Sequence, residues 1–136
     1  MSLTVNQKGV IGLVKVVADL VSNQYEVFTP TSDASPVDLV VADSSMNLRR
    51  IQVKYREPTE DAKVLVVSLD SVVNGRRVPV NLSLIDVWAI YCPQTEQVYY
   101  IKRSELDGRY IRLCLHDYKG RRKQLAQEFV DPSRLW

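Results

Sequence analysis

Two short runs constrain this chain more than anything else in it: Pro36-Val37-Asp38-Leu39-Val40-Val41 and Arg49-Arg50-Ile51-Gln52-Val53-Lys54-Tyr55. β-Branched and apolar residues dominate both, and the turn formers Ser44, Ser45 and Asn47 lie between them, so the spacing predicts two adjacent strands. Side chains on a strand alternate between faces. Arg50, Gln52, Lys54 and Arg56 therefore share one face of the second strand, and Ile51, Val53 and Tyr55 the other. On the first strand, Pro36, Asp38 and Val40 fall together. If the two strands pair as a hairpin, an Asp, a Gln and a Lys converge on one spot, an arrangement suited to a metal ion and an ammonium group. Lys is a common guard of exposed sheet edges. Gln52 and Lys54, however, stand between apolar neighbours in a strand expected to be central, and a Lys is rarely buried without a partner.

The Pro-Val-Asp then Gln-Val-Lys pattern resembles the PD-(D/E)XK nuclease superfamily, with Gln52 in the second acidic position. Lys8-Gly9-Val10-Ile11-Gly12, Tyr25-Glu26-Val27 and Asp86-Val87-Trp88-Ala89 extend the resemblance to a bacterial branch that includes an endonuclease encoded in a cyanobacterial tRNA intron. The resemblance implies a fold: an N-terminal helix on a mixed β-sheet, with an added β-hairpin and a short C-terminal helix. It also implies roles. Asp38 and Gln52, with the backbone carbonyl of Val53, would hold Mg2+, and Lys54 would position the attacking water. The substrate would be double-stranded DNA, cut by a homo-oligomer, a dimer or a tetramer, that brings one active site to each strand. One position departs from the pattern. The branch carries a Glu directly after the second glycine of its Lys-Gly-x-x-Gly run, and this chain has Leu13 there, which cannot bind a hard cation. A catalytically impaired DNA-binding module is the alternative that Leu13 supports.

Along the chain, Val5 to Ser22 reads as a helix. Val10, Leu13, Val14, Val17, Ala18 and Val21 are expected to form its buried stripe, Asn6 its cap and Asn23 its stop. Strands are expected at Tyr25–Phe28, at Ala62–Leu69, at Ile85–Tyr91 paired with Glu96–Ile101, and at Arg109–Leu115. Ser104-Glu105-Leu106 reads as a helical turn, and Gln124 to Phe129 as a short helix. Asn74-Gly75 before Arg76-Arg77 predicts a β-hairpin with two arginines at its tip. Such a tip either grips DNA or is simply solvated, and the sequence leaves both open. Asp33 is either an extra carboxylate or a solvated turn residue.

The 136 residues fit one domain, and 46% hydrophobic with 25% charged residues is ordinary for a soluble globular protein. A net charge of +2 does not by itself argue for nucleic acid. The basic residues nevertheless cluster. Arg49, Arg50, Lys54 and Arg56 lie around the candidate site, Arg76 and Arg77 on the hairpin, and Lys119, Arg121, Arg122 and Lys123 near the end. Arg49, Arg56, Arg76, Arg77, Arg121 and Arg122 are the candidate DNA contacts. No apolar run approaches the ~20 residues of a membrane span. Without a signal-peptide pattern, and with only Cys92 and Cys114, neither in ligand spacing, the reading is a cytoplasmic protein with reduced cysteines and no membrane partner. A glycine-rich phosphate loop and a zinc-type Cys/His set are both missing, which excludes the common NTPase, dinucleotide-binding and zinc-hydrolase readings. His116 beside Asp117 has no nucleophile in a catalytic context.

Overall fold

Thr4, rather than Asn6, starts helix α1 (Val5–Ser22). Its hydroxyl accepts from the Gln7 backbone N–H at 3.1 Å, and the Gln7 side chain accepts from the Thr4 N–H at 2.8 Å. This reciprocal capping satisfies two helix-end donors at once. Asn23 closes the helix as expected, its backbone N–H and side-chain amide both donating to the Asp19 carbonyl. The computed structural model describes residues 2–32, 34–116 and 124–136, so the expectations for Asp33, Asp117, Lys119, Arg121, Arg122 and Lys123 lie outside the described residues.

The strands follow in chain order: β1 (Glu26–Phe28), β2 (Leu39–Ala42), β3 (Leu48–Tyr55), β4 (Val64–Ser68), β5 (Ser71–Val73), β6 (Arg76–Val78), β7 (Val87–Cys92), β8 (Gln97–Lys102), β9 (Tyr110–Cys114) and β10 (Gln124–Leu125). Five of them form a mixed sheet in the order β1-β2-β3-β7-β8, with β3 in the middle. Among the described residues its only parallel pair is β3 with β7. A second sheet, β10-β9-β4, covers the face of the first that α1 leaves open. Every residue of β7 is buried because helix lies on one side and sheet on the other. Val16 and Leu20 of α1 pack with Leu39, Ile51, Val87, Ala89 and Tyr100. On the opposite face Trp88, Ile90 and Ile101 meet Leu65 and Val67 of β4 and Leu113 of β9.

Two expectations need correction. The helix buries Gly12, Val16 and Leu20, while Val10, Val14 and Val21 are 60%, 58% and 54% exposed. Counting apolar side chains missed the glycine that sets the rotation. A Cβ on Gly12 would lie 3.4 Å from Tyr55 Cβ and 3.5 Å from Val53 Cγ1, so the helix rests on β3 through its backbone. Gln124 to Phe129 is not a helix. Gln124 and Leu125 pair in parallel with Leu113 and Cys114, and only Ala126–Phe129 turns, as a 3-10 segment. So short a stretch cannot repay helix nucleation, and docking on the β9 edge wins.

The Asn74-Gly75 hairpin forms as expected. Both residues have positive φ, 51° and 75°, as the two-residue turn between β5 and β6 requires.

The close seating of α1 predicts a steep size dependence at position 12. Gly12→Ala should change urea-unfolding stability by less than about 1 kcal/mol, because helix propensity offsets mild crowding. Gly12→Leu should destabilise by roughly 2 kcal/mol or more, because the helix must lift off Val53 and Tyr55.

Candidate active site

The site is built where β2 and β3 part. Leu39 pairs with Ile51 in a regular antiparallel register. The Asp38 N–H, at 2.9 Å, also donates to the Ile51 carbonyl. Two consecutive residues thus address one, the pattern of a β-bulge, which re-aims the side chain at its first position. The carboxylate of Asp38 turns into the widening gap and accepts the Val53 N–H at 2.7 Å. Plain strand alternation predicted the convergence of Asp38 with Gln52 and Lys54; it is the bulge that aims the carboxylate.

Gln52 crosses the same gap in the other direction. Its Nε2 donates to the Pro36 carbonyl at 3.1 Å, and its Oε1 accepts from the Trp88 indole N–H at 3.2 Å. Val53 presents its N–H to Asp38, and a strand residue's N–H and C=O point to the same side. The Val53 carbonyl therefore faces the gap as well. Among the described residues, no group of three His, Cys, Asp or Glu side chains is placed to hold a metal. The donors that do gather, one carboxylate, one amide oxygen and one carbonyl, are all oxygens, the set a hard divalent cation takes when water and phosphate complete its shell. Burial raises the Asp38 carboxyl above its ordinary value, against the lowering effects of the Val53 hydrogen bond and Lys54. A cation beside it would relieve that penalty. The residues fit such an ion.

Lys54 lies two residues further along β3. Its ammonium is pushed down to about 8, chiefly by burial and then by the charge of Arg56, while Asp38 and Asp70 attract it and act the other way. Burial also lowers the Arg56 guanidinium, which donates to the Tyr55 carbonyl at 2.8 Å. Leu13 lines a cavity of about 260 Å³ together with Pro30, Val37 and Asp38. The position where the resemblance expects a Glu thus opens on a space that Asp38 also lines.

Other expected site residues are spread apart. Arg49 serves the chain end: its Nε donates to the Leu135 carbonyl at 2.9 Å and its guanidinium lies 4.9 Å from the Trp136 ring centre. Arg50 forks onto Asp86, with Nε 3.0 Å from Oδ2 and Nη2 3.0 Å from Oδ1. That pair holds the Asp86 carboxyl below its ordinary value. Arg76 and Arg77 are exposed on β6, and Arg77 reaches the ring and hydroxyl of Tyr110. His116 is exposed at the end of the β9 segment.

Sequence reasoning missed three participants. Trp88 entered only as part of the Asp86-Val87-Trp88-Ala89 run, without a role, and nothing in its strand marks the buried indole N–H as a partner of Gln52. The Pro36 carbonyl is backbone and leaves no trace in residue type. Asp70, at the foot of the hairpin, carries no motif that singles it out. Its carboxylate accepts from Arg109 Nε at 2.6 Å, and Arg109 Nη2 also donates to the Val80 carbonyl at 2.8 Å. One guanidinium thus ties the two ends of the hairpin excursion together.

A family model described as PD-(D/E)XK endonuclease matches residues 3–131. The fold is similar to the structure of a bacterial homing endonuclease, I-Ssp6803I, with a TM-score of 0.76 and 20% sequence identity, covering 98% of this chain and 93% of that one. No curated protein sequence matches the chain.

The buried ammonium predicts a stability cost with a defined pH window. Lys54 titrates at 10.5 in the unfolded chain and at about 8 in the fold. Between those values the unfolded chain binds the extra proton, so wild-type stability rises as pH climbs from 8 toward 10.5. Below 8 both forms are protonated and the whole penalty stands. Lys54→Met should therefore raise stability at pH 7 by about 1–3 kcal/mol, and the gain should shrink above pH 8. Chemical denaturation of both proteins across pH 6–10 is the measurement, and a variant less stable at pH 7 would remove the buried-charge description.

Proposed function

The chain belongs to the PD-(D/E)XK endonuclease family, and on that premise we propose that it hydrolyses phosphodiester bonds within double-stranded DNA with the help of Mg2+, as a single catalytic domain. The observation that carries the proposal is the parted β2–β3 edge, where Asp38, Gln52 and the Val53 carbonyl gather beside a buried Lys54. These three oxygens would hold the ion, which when bound polarises the scissile phosphate and lowers the pKa of a water. Lys54 supplies three donors on a flexible stem, enough to orient that water and to meet the charge that develops on the phosphate oxygens. With a pKa of about 8, it is largely protonated at neutral pH. Arg56 adds a second positive charge beside it.

The exposed Arg76 and Arg77 make the β5–β6 hairpin the natural contact to the duplex, since a two-stranded ribbon fits a major groove. The similarity to a homing endonuclease supports a long target site. Two antiparallel DNA strands call for two active sites, hence a symmetric homo-oligomer, a dimer or a tetramer. A second reading, a DNA-binding module with impaired chemistry, is favoured by one specific observation: Leu13, not a carboxylate, opens on the cavity beside Asp38.

Cleavage of duplex DNA in Mg2+, with Ca2+ used to measure binding alone, tests the proposal. Asp38→Asn and Lys54→Ala should each lower the cleavage rate by at least about a hundredfold while duplex affinity stays within a few-fold. Near-normal cleavage by either variant would remove the active-site assignment.

Replacing Arg76 and Arg77 together with Ala should weaken binding and flatten the dependence of log K on log salt by up to about 2, roughly one released counterion per lost phosphate contact. An unchanged slope would mark the hairpin as a solvated end.

Leu13→Glu should separate the two readings of the site. A Glu there adds a carboxylate to the Asp38 cavity, so without metal the protein should lose about 1–3 kcal/mol. Mg2+ should restore part of that loss and speed cleavage, because an ion bound only to the native state stabilises it. A Glu variant that neither gains stability in Mg2+ nor cuts faster would show that position 13 is packing alone.

A further inference from the structure

Position 52 is where the family pattern places an acidic residue, and its environment here is selective for an amide. The side chain is held at both ends. Nε2 donates to the Pro36 carbonyl at 3.1 Å, and Oε1 accepts from the Trp88 indole N–H at 3.2 Å. The two bonds run in opposite senses, so they fix which end of the amide is oxygen. A flipped amide would set N–H against N–H and oxygen against oxygen. Trp88 is fully buried in the strand that lies beside β3, directly opposite Gln52 in the parallel register, and its indole offers a donor and no acceptor. Pro36 precedes the bulge, lacks an N–H to extend the ladder, and leaves its carbonyl to the Gln52 amide. The bulge and the two side-chain bonds therefore form one unit.

A carboxylate at position 52 could still accept from Trp88. Its other oxygen would face the Pro36 carbonyl, leaving a half-buried acceptor unpaired beside a like partial charge. Gln52 thus keeps one lone pair of Oε1 free at a fixed place, next to the Val53 peptide that Asp38 holds. We infer that Trp88 is a positioning residue that aims the Gln52 oxygen at the divalent-cation site, and that this backbone requires an amide, not a weakened substitute for an acid, at position 52. The inference rests on the proposed metal-dependent reading of the same site, and it gives Trp88, until now only part of the Asp86-Val87-Trp88-Ala89 run, a role in that site.

The test uses full-length, 15N-labelled protein in four forms: wild type, Gln52→Leu, Gln52→Glu, and a chain carrying benzothienylalanine in place of Trp88, which keeps the ring's shape and replaces its N–H by sulfur. The Trp88 indole resonance, identified by its loss in the sulfur analogue, should move upfield in Gln52→Leu. In wild type it should shift in a saturable manner as Mg2+ is added without DNA. The sulfur analogue, folded as wild type, should need about tenfold more Mg2+ for half-saturation read at the Val53 amide, in line with the 10–100-fold that outer-shell partners typically contribute. Gln52→Glu should melt below wild type at pH 7 without metal. An indole resonance indifferent to Gln52→Leu, an analogue that binds Mg2+ as wild type does, or a Gln52→Glu protein as stable as wild type would each overturn the inference. None of these readouts needs cleavage. A chain that shows them all and cuts no duplex keeps Trp88 in its role and loses the nuclease reading.

Discussion

The Asp38–Val53 hydrogen bond is the contact on which the rest of the site depends. At 2.7 Å a carboxylate takes a backbone donor that a strand carbonyl would ordinarily take. Pro36 brings no N–H to continue the ladder, so the two strands can part without abandoning a donor on that side. What opens is a gap in which the side chains of Asp38 and Gln52 are each held by hydrogen bonds. A charge-assisted bond of this kind is shorter and stronger than a neutral one. It also removes freedom from Asp38, so the carboxylate keeps a fixed place in the gap. Side-chain placement of this sort comes from a central strand under strong packing, with α1 resting on Val53 and Tyr55 through Gly12.

Charge is arranged against the stability of the free protein. Burial lowers Lys54 and raises Asp38, so each is pushed toward its neutral form, and Arg56 adds repulsion to the lysine. Two oppositely charged groups that both suffer from burial are not a structural ion pair optimised for the fold. Perturbed groups of this kind concentrate where chemistry is done. A cation near Asp38 and a phosphate near Lys54 would each reverse the local penalty. The ordinary surface pairs contrast with this: Arg50 with Asp86 forms a fork that lowers the Asp86 carboxyl and secures the start of β7.

How much of this was legible in the sequence follows from what residue types can encode. The extent of α1, the Asn74-Gly75 hairpin, and the pairing of β7 with β8 were legible because periodicity and turn chemistry are local. The convergence of Asp38, Gln52 and Lys54 was legible because their spacing on two neighbouring strands carries it. The rotation of α1 was not, since a glycine contributes nothing to an apolar count and yet decides the closest approach. The segment from Gln124 to Phe129 has helix-forming composition, and a docking edge supplied by β9 overrode it. Arg49 looked like part of a basic cluster and instead anchors Leu135 and Trp136, a contact between chain positions that no spacing rule connects. Trp88 and the Pro36 carbonyl were hidden for the same reason: their role is a hydrogen bond across strands, and neither the apolar pattern nor the motif records a donor.

The hairpin and the site are joined through a contact equally distant in sequence. Asp70 lies just before β5, Val80 two residues after β6, and Arg109 binds both. The hairpin therefore leaves the body of the protein through a closed neck rather than an open loop. Closing it needs no hydrophobic core, and β5 and β6 have almost none: Val72 and Val73 are 71% and 53% exposed. A two-stranded ribbon is marginal alone, so its orientation has to be imposed at its base. Arg77 adds a second hold from the β6 side by resting on Tyr110, the first residue of β9. Arg109 and Tyr110 are neighbours, so the strand that pairs with β4 also steadies the arm. Asp70 completes the link, because the carboxylate that Arg109 clamps is one of the charges felt by Lys54. The ion pair at the base of the exposed basic arm thus lies within Coulomb reach of the buried lysine.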